Sequence, residues 1–126
     1  MNVSSYLYAP ESYRKALPEV VAKVVNGCGP SGWKIDIVPD TIYWLPIGEE
    51  CGIHDWEYEA GETEADKELA DFHLLHNLLA HIDCASSQSI TGKILKPLRC
   101  QRAFEYYMAV KEFGHHAFWA GKGHHA

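Results

Sequence analysis

CGIHDWEYEAGETEADKELAD, residues 51–71, carries the two helices on which the reading of the fold depends. Ile47, Cys51, His54 and Tyr58 fall at i, i+4, i+7 and i+11, one face of a helix predicted from about Gly48 to Ala60, with Gly61 as its C-terminal stop. Thr63 opens the next helix, because TEAD sets an acidic residue three positions after a hydroxyl N-cap, and the apolar pattern carries that helix to about Ile82.

Taking Asp71 as zero on a wheel of about 100° per residue, Leu75 lies near +40°, Leu78 near −20°, Ile82 near +20° and Leu74 near −60°. Asp71 thus stands inside the apolar arc, whereas Asp66, near −140°, faces away and is explained by the cap. A carboxylate in a buried stripe costs several kcal/mol unless it is paired, so Asp71 needs a partner. His54 and Tyr58, polar groups on the inward face of the preceding helix, are the natural candidates. A buried histidine or aspartate can also serve packing alone, and the residues by themselves leave that open.

Outward from this pair, APES reads as a turn, and Leu17 to Val25 form a first helix with Pro18 in its opening turn. NGCGPSGW breaks that helix, and WKIDIVPDTIYWLPIGEE reads as irregular loop with a small β-hairpin. After a polar break at ASSQSITGK, a fourth helix is expected from about Pro97 to Phe113, with Cys100, Phe104, Tyr107 and Val110 on its stripe and Gly114 as the stop. The tail HHAFWAGKGHHA looks too short and glycine-broken to form an element. The expectation is one mainly α domain over residues 1–126.

A hydrophobic content of 47% argues against disorder, and the net charge of −6 gives no footprint for nucleic acid. The start, MNVSSYLYAPESYRK, has no basic n-region and no apolar h-region, so no signal peptide is expected. GCGPSG, residues 27–32, concentrates residues whose backbone lets carbonyls converge, as a hard cation such as calcium requires. Asp55 leaves the His54 helix on another side and could add a carboxylate to such a site. His73, His76, His81 and Cys84 suggest a transition-metal site, but Cys84 lies about 16 Å along the axis from His73, and a solvated polar face is the simpler reading.

With this loop, CGIHDWEY and Asp71 together, the chain resembles the phospholipase A2 superfamily, whose pattern is a glycine-rich calcium loop, CxxHDxxY on one helix, and an aspartate on an antiparallel helix. HDWEYEAGETEADKELADFHLL and AFEYYMAVKEFG look like bacteriophage and prophage members, and the parvoviral capsid phospholipase domain shares the HDxxY core. The likeness covers about residues 26–114. It implies a calcium-dependent hydrolase of glycerophospholipid acyl esters, with His54 as general base, Asp71 as its orienter and Tyr58 donating to Asp71. It places calcium on Asp55 and on carbonyls near Gly27, Gly29 and Ser31, adds an oxyanion contact from the Gly29 amide, and pairs Cys28 with Cys51. Tyr106 and Tyr107 are candidates for a second tyrosine on Asp71, and Cys84 and Cys100 for a second bridge. The implied partners are a phospholipid surface as substrate and other phage virion or tail proteins; the implied location is the virion, or the host cytoplasm before release. The alternative is a phage tail or virion protein that keeps the fold without the chemistry. Trp44, and Phe118 with Trp119 beside Phe113, are candidates for contact with a membrane or a partner.

Overall fold

The computed structural model describes residues 5–25 and 41–122, and over these the chain is mainly helical. Six helices and one two-stranded sheet occur among the described residues: α1 Glu11–Lys15, α2 Pro18–Val24, β1 Thr41–Ile42, β2 Leu45–Pro46, α3 Gly48–Ala60, α4 Glu64–Ser86, α5 Ile90–Phe113 and α6 His115–Trp119. The expected bounds of α3 hold. At the start of α4 both halves of the capping box form: Asp66 N–H donates to Thr63 Oγ1 and Thr63 N–H to Asp66 Oδ2, each at 3.1 Å.

Helices α3 and α4 run antiparallel, as do α4 and α5. The core lies where these three meet the hairpin: Ile47 and Cys51 of α3, Leu74, Leu75, Leu78 and Ile82 of α4, Ala103, Tyr106 and Val110 of α5, and Ile42 and Leu45 of the strands. A second cluster joins the N-terminal segment to the outer side of α3 through Leu7, Tyr13, Val21 and Ile53. None of the helices is long and apolar enough to cross a membrane among the described residues.

Several expectations need correction. The turn at APES continues into α1, because the Tyr13 and Arg14 amides both reach the Pro10 carbonyl and Tyr13 buries its ring. Helix α5 starts seven residues before Pro97. Ser89 caps it by accepting from the Gly92 N–H at 2.9 Å, and Pro97 sits inside, where it forfeits a single helical hydrogen bond. Its inward stripe is Arg99, Ala103, Tyr106 and Val110, while Phe104 is half exposed. Arg99 disguised that phase. Its buried guanidinium holds the Tyr43 carbonyl, with Nη2 at 2.7 Å, at the tip of a hairpin where Tyr43 and Trp44 both have positive φ, at 43° and 67°. Such a turn ordinarily calls for Gly or Asn, so a bond to the strained peptide offsets part of its conformational cost.

The tail also forms an element, α6. Phe118 is only 1% exposed and docks edge-on against Tyr58, with ring centroids 5.2 Å apart. This approach accounts for two glycines. A Cβ on Gly114 would lie 2.4 Å from the Tyr58 hydroxyl, and one on Gly61 would lie 2.7 Å from the Phe118 ring. Gly61 ends α3 with extended backbone at φ −71°, so close packing, and not a left-handed cap, is what requires glycine there.

Candidate active site

Antiparallel packing brings the inward faces of α3 and α4 together, and His54, Tyr58 and Asp71 meet in the seam. His54 is 2% exposed and Asp71 1%. His54 Nε2 lies 2.8 Å from Asp71 Oδ1, and the Tyr58 hydroxyl donates to the same oxygen at 2.6 Å. An ionised carboxylate only accepts, so Nε2 carries the proton of that bond, and in the neutral ring Nδ1 then holds the lone pair. The Tyr58 ring packs against the imidazole, tilted by 46°, at a centroid distance of 4.1 Å.

The other oxygen of Asp71 belongs to a residue the sequence reading passed over. Lys67, 1% exposed and one turn before Asp71 on α4, donates from Nζ to Oδ2 at 2.7 Å. Its ammonium also lies 3.2 Å from the Val110 carbonyl and 3.4 Å from that of Lys111, in the last turn of α5. The signal was present: on the wheel centred on Asp71, Lys67 falls near −40°, as far inside the apolar arc as Leu75. Tyr106 and Tyr107 do not take the place on Asp71 that the resemblance suggested; the Tyr106 hydroxyl donates to the Thr41 carbonyl at 3.2 Å, and Tyr107 lies under the Lys111 ammonium.

Burial alone would raise the pKa of Asp71; the bonds from His54, then Lys67 and Tyr58, outweigh it and hold the carboxyl below its ordinary range. Burial first, and then the negative charge of Asp71, push Tyr58 well above the usual phenol value, so it stays a donor. Glu57, one turn beyond His54, is pushed up to about 8 by burial and then by Asp71. Its Oε2 lies 2.7 Å from His73 Nδ1, and its Oε1 is buried without a hydrogen-bond partner. His73 is shifted down by burial and then by His76.

A third carboxyl group and imidazole meet farther along the seam, where Glu50 Oε2 lies 2.5 Å from His81 Nδ1. His73 and His81 are therefore inter-helix partners of carboxylates and not members of a solvated face. Tyr8 and Tyr6 of the N-terminal segment set tilted rings against His73 and His81, and the buried Asn77 amide clasps Tyr8 by accepting from its N–H at 2.7 Å and donating to its C=O at 2.9 Å. Among the described residues no group of three or more His, Cys, Asp or Glu side chains could hold a metal ion.

Asp55 is buried on α3 next to His54. Gly27, Cys28, Gly29 and Ser31 lie outside the described residues. Cys51 is buried in the core and is not one of the free thiols. Cys84 and Cys100 are both free, and the register explains it. Gly92 abuts Ala85, and Lys67 reaches Val110, which sets Cys100 opposite residues 76 and 77 of α4, roughly 10 Å along the axis from Cys84. Trp44 stands 80% exposed at the hairpin tip, whereas Phe118 is spent on the interior. No family model matches the chain, and no characterised protein or solved structure shows significant similarity to it.

Proposed function

We propose that this chain is a phospholipase A2-like enzyme that hydrolyses a glycerophospholipid acyl ester at the sn-2 position and depends on calcium. The observation that carries the reading is the seam cluster, in which a buried carboxylate holds one nitrogen of a buried imidazole at 2.8 Å and shares that oxygen with a tyrosine hydroxyl. Two residues that helical phase alone would leave as isolated polar anomalies are each other's partner.

In this reading Nδ1 of His54 takes a proton from water as the water attacks the ester carbonyl, Asp71 steadies the ring as it gains charge, and the ring returns the proton to the leaving alkoxide as the acyl C–O bond breaks. Tyr58 donates to Asp71 Oδ1 and helps keep that carboxylate ionised. Asp55, with the carbonyls of Gly27, Gly29 and Ser31, would hold the calcium, a donor set made only of oxygen, which suits a hard cation. Calcium held there would supply Lewis-acid polarisation of the ester carbonyl, and the Gly29 amide would be the further donor to the oxyanion. A bridge between Cys28 and Cys51, as the resemblance implies, would tie the loop to α3. Trp44, at the tip of the hairpin that leads into α3, is the side chain offered to a phospholipid surface.

A second reading, a non-catalytic phage tail or virion component, draws on the exposed apolar stripe of α5, where Ile90, Ile94 and Met108 face solvent. His54→Gln separates the two. Loss of lipid hydrolysis with an unchanged circular dichroism spectrum supports the enzyme, and retained turnover removes His54 from the role of base.

A further inference from the structure

Lys67 has a place at the seam that the hydrolytic cycle does not itself require. It is a buried cation with three acceptors around its three N–H bonds: Asp71 Oδ2 at 2.7 Å, Val110 O at 3.2 Å and Lys111 O at 3.4 Å. Two of these are carbonyls in the last turn of α5, at the negative end of the helix dipole, and that of Val110 also accepts the Gly114 N–H at 2.8 Å. The third is the oxygen of Asp71 that His54 and Tyr58 do not use. The two oxygens of the carboxylate are thereby distinguished: Oδ1 serves the imidazole and the phenol, and Oδ2 is pinned to a point fixed by a third helix.

We infer that Lys67 is a positioning residue, which locks the Asp71 carboxylate plane against the C-terminal end of α5 and so fixes the orientation and tautomer of the His54 ring. Without the ammonium, the carboxylate can rotate about Cβ–Cγ and present either oxygen to either donor. His54 then loses its single bonded geometry, although His54, Tyr58 and Asp71 are all still present. Helix α5 thus becomes part of the site through its backbone. The catalytic side of this inference rests on the proposed role of His54 as base, but its structural side does not.

The experiment compares wild type, Lys67→Met and Lys67→Arg by ¹⁵N-edited NMR of the histidine rings at one fixed pH, alongside lipid hydrolysis. Lys67→Met matches the length and removes the donors; Lys67→Arg keeps a cation. Lys67→Gln, whose neutral amide keeps two N–H donors but no charge, is measured where Lys67→Met shows no cooperative unfolding. Wild type should show one His54 tautomer, protonated at Nε2, with a slowly exchanging proton. Lys67→Met or Lys67→Gln should show mixed tautomers and exchange at least about tenfold faster, with partial restoration in Lys67→Arg. If wild type turns over lipid, kcat should fall on the order of 10- to 100-fold while KM stays within about twofold, as misplacement of a reacting group requires. An unchanged tautomer and exchange rate in a folded variant lacking the ammonium overturns the inference and leaves Lys67 as a helix plug. Absence of turnover in wild type would sink the hydrolase reading instead, and the NMR comparison still decides the role of Lys67.

Discussion

Replacing Asp71 by Asn tests the seam where the structure commits itself most. Asp71 is buried and accepts from His54, Tyr58 and Lys67. The amide oxygen of Asn can keep the two bonds at Oδ1, but the group at the Oδ2 position becomes a donor facing the Lys67 ammonium. A buried pair is then broken with its cation left behind, a change that costs about 3–5 kcal/mol. For a domain of this size the midpoint of thermal unfolding should fall by roughly 10–20 °C at neutral pH. The pH dependence gives an independent check. Because the folded pKa of Asp71 is held below its ordinary value, its contribution is fully present above about pH 4, the unfolded value, and disappears as pH falls through the depressed folded one. Urea unfolding of wild type and Asp71→Asn across this range should show a full gap at pH 7 that narrows in acid. A variant within about 1 kcal/mol of wild type at pH 7, or a gap that does not narrow, refutes the reading of Asp71 as an ionised, paired carboxylate.

Three further outcomes follow from the same seam. Glu57, pushed up to about 8, should give Glu57→Gln a stability advantage that opens from about pH 4.3, where the unfolded carboxyl ionises, and levels off near pH 8; an advantage confined to acid would contradict the assignment, as read by urea midpoints. Phe118→Ala should cost about 3–5 kcal/mol in thermal unfolding, because the ring is buried against Tyr58, whereas a loss below about 1 kcal/mol would show α6 to be loosely docked. Non-reducing peptide mapping should recover Cys28 and Cys51 in one fragment, with Cys84 and Cys100 as free thiols; four free thiols would remove the proposed bridge.

The parts of the molecule that declared themselves in sequence are those in which one local signal sufficed. Thr63 and Asp66 satisfy each other within four residues, and Gly48 to Ala60 carries its periodicity without interruption. Asp71 was legible because a carboxylate inside an apolar arc has one plain consequence, the need for a partner. Lys67 sits in the same arc and was passed over, since a lysine four residues before an aspartate reads equally well as a surface ion pair. What placed it inside was the end of α5, more than forty residues away, whose carbonyls it satisfies.

Arg99 misled for the same reason. Its inward position makes sense only with the Tyr43 carbonyl, across 56 residues, so the apolar side chains beside it set the wrong phase for α5. The start of α5 was missed because Pro97 looked like a helix opening, while Ser89 lay within a run of polar residues that gave no sign which of them capped. Helix α6 had too little of its own to be seen, as its stability comes from Phe118 reaching Tyr58.

The most direct test is acyl release from a phospholipid bearing distinguishable chains at its two ester positions, measured with calcium and then with chelator, for wild type and His54→Gln. Release of the sn-2 chain only, requiring calcium and lost in the variant, is the expected result. A folded wild-type protein that releases no acyl chain from any phospholipid would contradict the hydrolase reading and leave the His54–Asp71 pair as part of a scaffold.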